Sequence, residues 1–227
     1  MRIEQFFHIA RAACAVANVD AVTVFGSNAI LPWLNEKGIR DMRQFLDLPY
    51  ISRELDLCVG DGTDDTLNTL VDGAIGELSQ FDETFGVYAH PNPLTGLFHA
   101  PSSWTSRMRR TQEPVSRITI IVPHYADLTV SKLVAGRAKD MEFARRARKV
   151  FDVSMQQIKD LLHEYLQEVP AYKTAALNHL SIFEHHDNVK FPKAPVPKKS
   201  FENACQEGAL SHERSPRMQE RDAVEME

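Results

Sequence analysis

The chain of 227 residues has little cysteine: Cys14, Cys58 and Cys205 are widely separated and odd in number. That pattern fits neither a disulfide framework nor a zinc site of paired thiolates, so the sequence predicts a protein of the reducing cytoplasm. No uninterrupted apolar run reaches about 18 residues. Glu4 and Arg11 break up the apolar N-terminal stretch, which disfavours secretion and membrane spanning alike. Internal repeats are lacking too. Positive charge is missing from residues 61 to 100, which hold seven acids and no Lys or Arg. Residues 101 to 150 reverse this with eleven basic residues against four acids. A net charge of -5 argues against a protein that coats nucleic acid generally, but one basic face can still attract a polyanion. A solvated helix surface would have the same composition.

What is present begins with Ile3, Phe6, Phe7, Ala10, Ala13, Cys14 and Ala17, whose spacing predicts an amphipathic helix. The stretch AVTVFGSNAI then runs from a strand, Ala21 to Phe25, through Gly26-Ser27 into a helix over about Asn28 to Leu34. Pro32 falls near that helix's first turn, where it is best tolerated. Residues 35 to 53 are polar and mixed. Glu54-Leu-Asp-Leu alternates acid and apolar residue, a strand signature that puts both carboxylates on one face roughly 7 Å apart. Gly60-Asp-Gly-Thr-Asp reads as a turn and Thr66 to Leu78 as a helix. Phe85 to Ala89, Gly96 to Ala100 and Arg117 to Val122 read as strands, and from His124 the pattern is helical to about residue 187. The expected class is α/β (α+β): a mixed β-sheet core over 1–123, a helical C-terminal half over 124–190, and a Pro- and Lys-rich, then polar, tail over 191–227 that predicts disorder.

Three local features can carry chemistry. Glu54 and Asp56, placed as they are, can share divalent cations, although exposed strand acids look the same in sequence. Gly26 permits close backbone approach, and Ser27 either caps the helix or donates to a phosphate at its N-terminus. In Ser131-Lys-Leu-Val-Ala-Gly-Arg-Ala-Lys-Asp140, the cations Lys132, Arg137 and Lys139 surround a glycine interruption, as suits a triphosphate or pyrophosphate; a plain helix joint with surface charges is the alternative. His90, His99 and His124 lie near predicted loops without a spacing that makes them a set. Adjacent His185 and His186 point in different directions on a helix. Cys58 reads as a small packed residue. Trp104, followed by Arg107, Arg109 and Arg110, reads as a loop anchor or as a base-stacking platform.

Strand, Gly-Ser, helix and acid-x-acid strand together resemble the signature of the nucleotidyltransferase superfamily typified by DNA polymerase β. The segment Asp127-Leu-Thr-Val-Ser-Lys-Leu-Val-Ala-Gly-Arg-Ala-Lys-Asp140 resembles the D-L-x-x-S-K-L-x-A-x-R-x-K-D block of nucleotidyltransferase-like proteins related to AbiEii toxins. The likeness covers about residues 15 to 150. It implies transfer of a nucleoside monophosphate from an NTP, with Mg²⁺, to a hydroxyl acceptor, such as the 3′ end of tRNA, by a protein that works opposite a cognate antitoxin. It implies that Glu54 and Asp56 hold metal ions, that Gly26, Ser27 and Lys132 hold the NTP phosphates with help from Arg137 and Lys139, and that Asp140 closes the block. The chain departs from the pattern in three ways. Its first acid is Glu54 rather than Asp, the gap from Ser27 to Glu54 is long, and no acid lies in the predicted strands 85–89 or 117–122, where Asp127 or Asp140 would have to substitute. A nucleotide- or RNA-binding protein, or a toxin-antitoxin partner, with the same fold and weak or absent turnover is the alternative.

Overall fold

The computed structural model describes residues 1–46, 51–60, 65–93 and 98–188. The first helix, α1 (Ile3–Ala17), buries Ile3, Phe6, Ala10, Ala13, Cys14 and Ala17 of the predicted stripe together with Ile9, leaves Phe7 half-buried, and ends where Asn18 turns left-handed at φ 53°. Strand β1 (Ala21–Val24) follows, then a 3₁₀ turn (Ser27–Ile30) that runs on into α2 (Leu31–Glu36), with Pro32 in its first turn. The helix expected from Asn28 to Leu34 is thus a tighter turn joined to a slightly later helix. Next come α3 (Met42–Phe45), β2 (Glu54–Val59), α4 (Asp65–Ile75), α5 (Gln80–Phe85) and β3 (Tyr88–Pro91). Strands β4 (Arg109–Gln112) and β5 (Thr119–Val122) precede the helices α6 (Tyr125–Ala135), α7 (Ala138–Phe151), α8 (Met155–Glu168) and α9 (Lys173–Asn188).

Among the described residues five strands form one mixed sheet in the order β3-β2-β1-β5-β4, with β1 antiparallel to β2 and parallel to β5, and β2 parallel to β3. This is an α/β fold. Two apolar cores hold it. One packs α1, α2 and α4 on the sheet around Phe6, Phe25, Leu34 and Leu57; the other joins α6, α8 and α9 through Leu133, Leu162 and Phe183. Tyr125 and Phe151 border both, stacked at 4.3 Å.

Several local expectations are corrected. The strand expected at Phe85–Ala89 lies at Tyr88–Pro91, because Ser79 caps a helix through Phe85 by accepting from the Asp82 N–H, and Gly86 ends it at φ 66°. Phe98–Ala100 form no strand, and the rest of that expected strand, like part of the 60–64 turn and the tail over 191–227, lies outside the described residues. The mixed segment 35–53 contains α3, whose Met42 and Phe45 are buried in the core. Strand β4, made of Arg-Arg-Thr-Gln, was not expected at all; it sits at the sheet edge, held by the β5 ladder.

The loop bearing Trp104 is clamped from two sides. Glu168 accepts from the Ser102 N–H and hydroxyl, and fully buried Asp127 accepts from Arg107 Nε and Nη2 at 3.1 and 2.7 Å. Trp104 packs edge-on against Phe98, so it anchors the loop. Arg107→Ala would leave the Asp127 carboxylate buried and uncompensated. We expect a loss of about 3 kcal/mol of unfolding free energy, at the low end for a broken buried pair because a quarter of Arg107 is exposed. Denaturant titration reads it, and a loss below about 1 kcal/mol, the surface-pair range, would contradict the clamp.

Candidate active site

The site is built where β1 ends beside β2. Phe25 N–H donates to Asp56 O at 3.0 Å, which draws the Gly26 turn against the acid-bearing strand. Gly26 adopts φ 71° and ψ -165°, and a Cβ placed there would fall inside the Asp56 carboxylate. Glycine is therefore required twice over, for the backbone conformation and for the close approach. Asn28, almost fully buried, donates Nδ2 to Glu54 O at 2.7 Å and pins the same turn one step further along β2. Its Oδ1 has no partner among the described residues.

Along β2 the side chains alternate as expected: Leu55 and Leu57 are fully buried, while Glu54 and Asp56 are partly exposed on the opposite face. The parallel neighbour β3 sets Tyr88 beside Glu54 and His90 beside Asp56. Tyr88 reaches Glu54 Oε2 at 3.4 Å, and His90 Nδ1 donates to Asp56 Oδ1 at 3.1 Å. Burial pushes the Asp56 carboxyl above the ordinary range, and neighbouring Glu54 adds to the rise, against the downward pull of the His90 hydrogen bond and of Lys132. His90 is the residue that sequence reasoning left unassigned. Only the β2–β3 register brings it to the acids.

The cations come from the α6–α7 joint. Lys132 is buried, with Nζ 3.4 Å from Asp140 Oδ1 and 5.6 Å from the Phe143 ring. Burial lowers its pKa, and the charges of Asp140 and Asp56 oppose that shift, which places the ammonium in the field of the β2 acid. Exposed Arg137 binds Asp140 through Nε at 2.5 Å and also feels Asp56 and Glu54. Lys139 is exposed and lines a cavity of about 150 Å³ together with Ser27, Asn28, Glu54, Tyr88 and Phe143. Met42 and Leu46 of the long segment between Ser27 and Glu54 form another wall, and Phe45 packs edge-on against Phe143 at 5.4 Å. The extra length that sets this chain apart thus ties α7 to the site.

Asp127 and Asp140, the acids that could have replaced a missing third carboxylate, are both buried and bound to cations, Asp127 to Arg107 and Asp140 to Arg137 and Lys132. His124 caps α6, and His99 bonds Tyr165, so neither joins the acids. Cys58 is buried in the core, as a packed residue should be. Among the described residues no group of three His, Cys, Asp or Glu could hold a metal ion on its own. Two hard carboxylates on one strand face suit a hard divalent ion that takes the rest of its shell from water or another ligand.

A glycine-hinged turn, paired acids and a cation-bearing helix joint are thus gathered on one mixed sheet. Residues 78–190 match a family described as "Nucleotidyltransferase of unknown function (DUF6036)". That span holds β3 with His90, the Trp104 loop and the Lys132–Asp140 joint, while the Gly26 turn and the Glu54–Asp56 pair precede it. No curated protein and no solved structure matches the chain. No helix among the described residues is long and apolar enough to cross a membrane.

Proposed function

We propose that this chain is a cytoplasmic enzyme that transfers a nucleoside monophosphate from an NTP to a hydroxyl acceptor with the help of Mg²⁺. The observation that carries this reading is the Asp56 carboxylate seated on Gly26, with Glu54 on the same strand face. A phosphate held at the Gly26-Ser27 turn would stand beside both acids. In the proposed step the acceptor hydroxyl gives up its proton to solvent, its oxygen forms a bond to the α-phosphorus, the bond from that phosphorus to the bridging β-phosphate oxygen breaks, and pyrophosphate leaves. Glu54 and Asp56 would hold Mg²⁺, which supplies charge neutralisation at the phosphates and a lower pKa for the attacking hydroxyl. Lys132, Arg137 and Lys139 would balance the triphosphate and the departing pyrophosphate, and Asp140 keeps Lys132 and Arg137 in place.

RNA, tRNA included, is the acceptor class we favour, supported by the exposed Arg110, Arg117, Lys139 and Lys149 of the basic stretch. The support is narrower than the sequence count, because Arg107, Arg109, Arg137, Arg145 and Arg146 are paired with acids. A second reading has its own observation: His90 stands where β3 would offer a third carboxylate to Asp56. On that reading the chain binds nucleotide or RNA with little turnover, as a partner in a toxin-antitoxin pair.

The test is transfer of label from an α-³²P NTP to RNA by the full chain. Labelling with Mg²⁺ and its loss on adding EDTA are expected. NTP binding without product would favour the second reading, and an absence of NTP binding would count against both nucleotide readings and leave an interaction scaffold.

A further inference from the structure

The Lys132–Arg137–Asp140 cluster spans a break between two helices, so its shape depends on what fixes their angle. Helix α6 ends at Ala135. Gly136 turns left-handed at φ 69° and donates its N–H to Lys132 O at 3.0 Å, and Arg137 is already the N-cap of α7. Only two residues separate the helices. A helix C-terminus leaves its last carbonyls without partners, and here a second one is taken from outside: His179 of α9 donates Nδ1–H to Leu133 O at 3.0 Å. The same imidazole lies over Gly136, in the space that a Cβ would occupy. Glycine at 136 thus serves two needs, the left-handed turn and the seat for this ring.

The base from which His179 reaches is firm. Its neighbours Ala176, Leu180 and Phe183 are buried in the core with Leu133, Val134 and Ala144, so α9 grips both helices of the joint. Lys132 lies before the break, and Arg137 and Asp140 lie after it. Their mutual contacts at 3.4 and 2.5 Å cross or adjoin the hinge. Rotation of α7 against α6 would separate Lys132 from Asp140 first, since both are anchored on different helices. Packed interfaces of this kind hold one arrangement rather than a continuum.

We infer that His179 is a positioning residue for the phosphate-binding cations: it wedges and caps the α6–α7 joint, so that Lys132 and Arg137 are presented together toward the Glu54–Asp56 pair. The inference rests on the proposed function for the ligand, a triphosphate, and on geometry alone for the wedge. No spacing in the sequence points to it, because His179 is far along the chain from the joint that it fills.

Two readouts on the full-length chain test it. The first is the NMR signal of the Lys132 ammonium protons, which the contact with Asp140 across the hinge should protect from exchange in the wild type. His179→Ala should lose that protection, and His179→Gln, which retains a donor for Leu133 O, should keep most of it. The second is calorimetry with inorganic tripolyphosphate, where His179→Ala should weaken binding about 10-fold and His179→Gln by no more than about 3-fold. Should His179→Ala fail to fold, Gly136→Ala, which pushes the ring out of the joint from the other side, carries the same two expectations. A folded variant with wild-type protection of the Lys132 ammonium protons and wild-type affinity overturns the inference. If the wild type binds no tripolyphosphate, the nucleotide reading falls, and the Lys132 signal still decides the wedge.

Discussion

Asp56→Asn is expected to lower transfer at least about 10³-fold, on the scale of losing a preorganised electrostatic group, and yet to raise the thermal stability of the metal-free protein at neutral pH. The two effects have one cause. Asp56 is held above its ordinary pKa, chiefly by burial and then by Glu54. A carboxyl whose folded pKa exceeds its unfolded one is disfavoured in the fold once it ionises, so it costs stability above the folded pKa and costs nothing below the unfolded pKa. Asn removes the charge, keeps the shape over Gly26, and still offers an oxygen to His90 Nδ1–H. In EDTA buffer the melting temperature of Asp56→Asn should therefore exceed that of the wild type near pH 7, and the gap should close as the pH falls toward 4 or below, where the unfolded carboxyl is protonated in either case. A wild-type rate in the variant would remove Asp56 from the chemistry. A melting temperature that falls instead would mean that the charged form is favoured by its surroundings, contrary to the burial of this side chain.

The part of the site that could be read in the sequence is the part encoded locally. A β-branched strand before Gly-Ser and an acid-apolar alternation over Glu54–Leu57 each state their geometry within a few residues, and both hold in the fold. That Gly26 and Asp56 meet follows from the antiparallel pairing of β1 and β2, a short-range consequence of two adjacent strands. The Ser79 and Gly86 capping signals were also legible, and reading them would have moved β3 three residues along and put His90 at the end of a strand rather than in a loop.

Other features have no local signature. Strand β4 consists of Arg109, Arg110, Thr111 and Gln112, with no apolar alternation, and is extended because β5 offers a ladder and because Arg109 reaches Glu36 and the Trp33 ring. Buried Asp127 looks in sequence like any acid in the first turn of a helix, and only the Trp104 loop crossing above supplies Arg107. The same holds for Lys132: the block around it, read as a phosphate-binding pattern, gives no sign that the side chain is buried against Phe143 and held by Asp140. In each case tertiary contacts, not propensity, decide the state of the side chain.

Gly26→Ala should be the most damaging single methyl group in the protein, and its effects should separate from those at Asp56. The backbone at φ 71° and ψ -165° lies in a region open essentially to glycine alone, which by itself costs an alanine about 1–3 kcal/mol. The added Cβ also claims the volume of the Asp56 carboxylate, backed there by strand β2. Either the turn withdraws from β2, with loss of the Phe25 N–H to Asp56 O bond, or the carboxylate swings away and loses His90. Each outcome takes the Gly26 turn and the acid apart, so the proposed transfer should fall as far as in Asp56→Asn, while stability falls by about 2–4 kcal/mol instead of rising. The double variant Gly26→Ala with Asp56→Gly decides between strain and contact. With the carboxylate gone, the part of the stability loss that came from the clash should return and the backbone cost should remain, a non-additivity of about 1–2 kcal/mol measurable in a double-mutant cycle. Full additivity would mean that the Gly26 methyl and the Asp56 carboxylate never compete for the same space, and the site as described here would have no hinge.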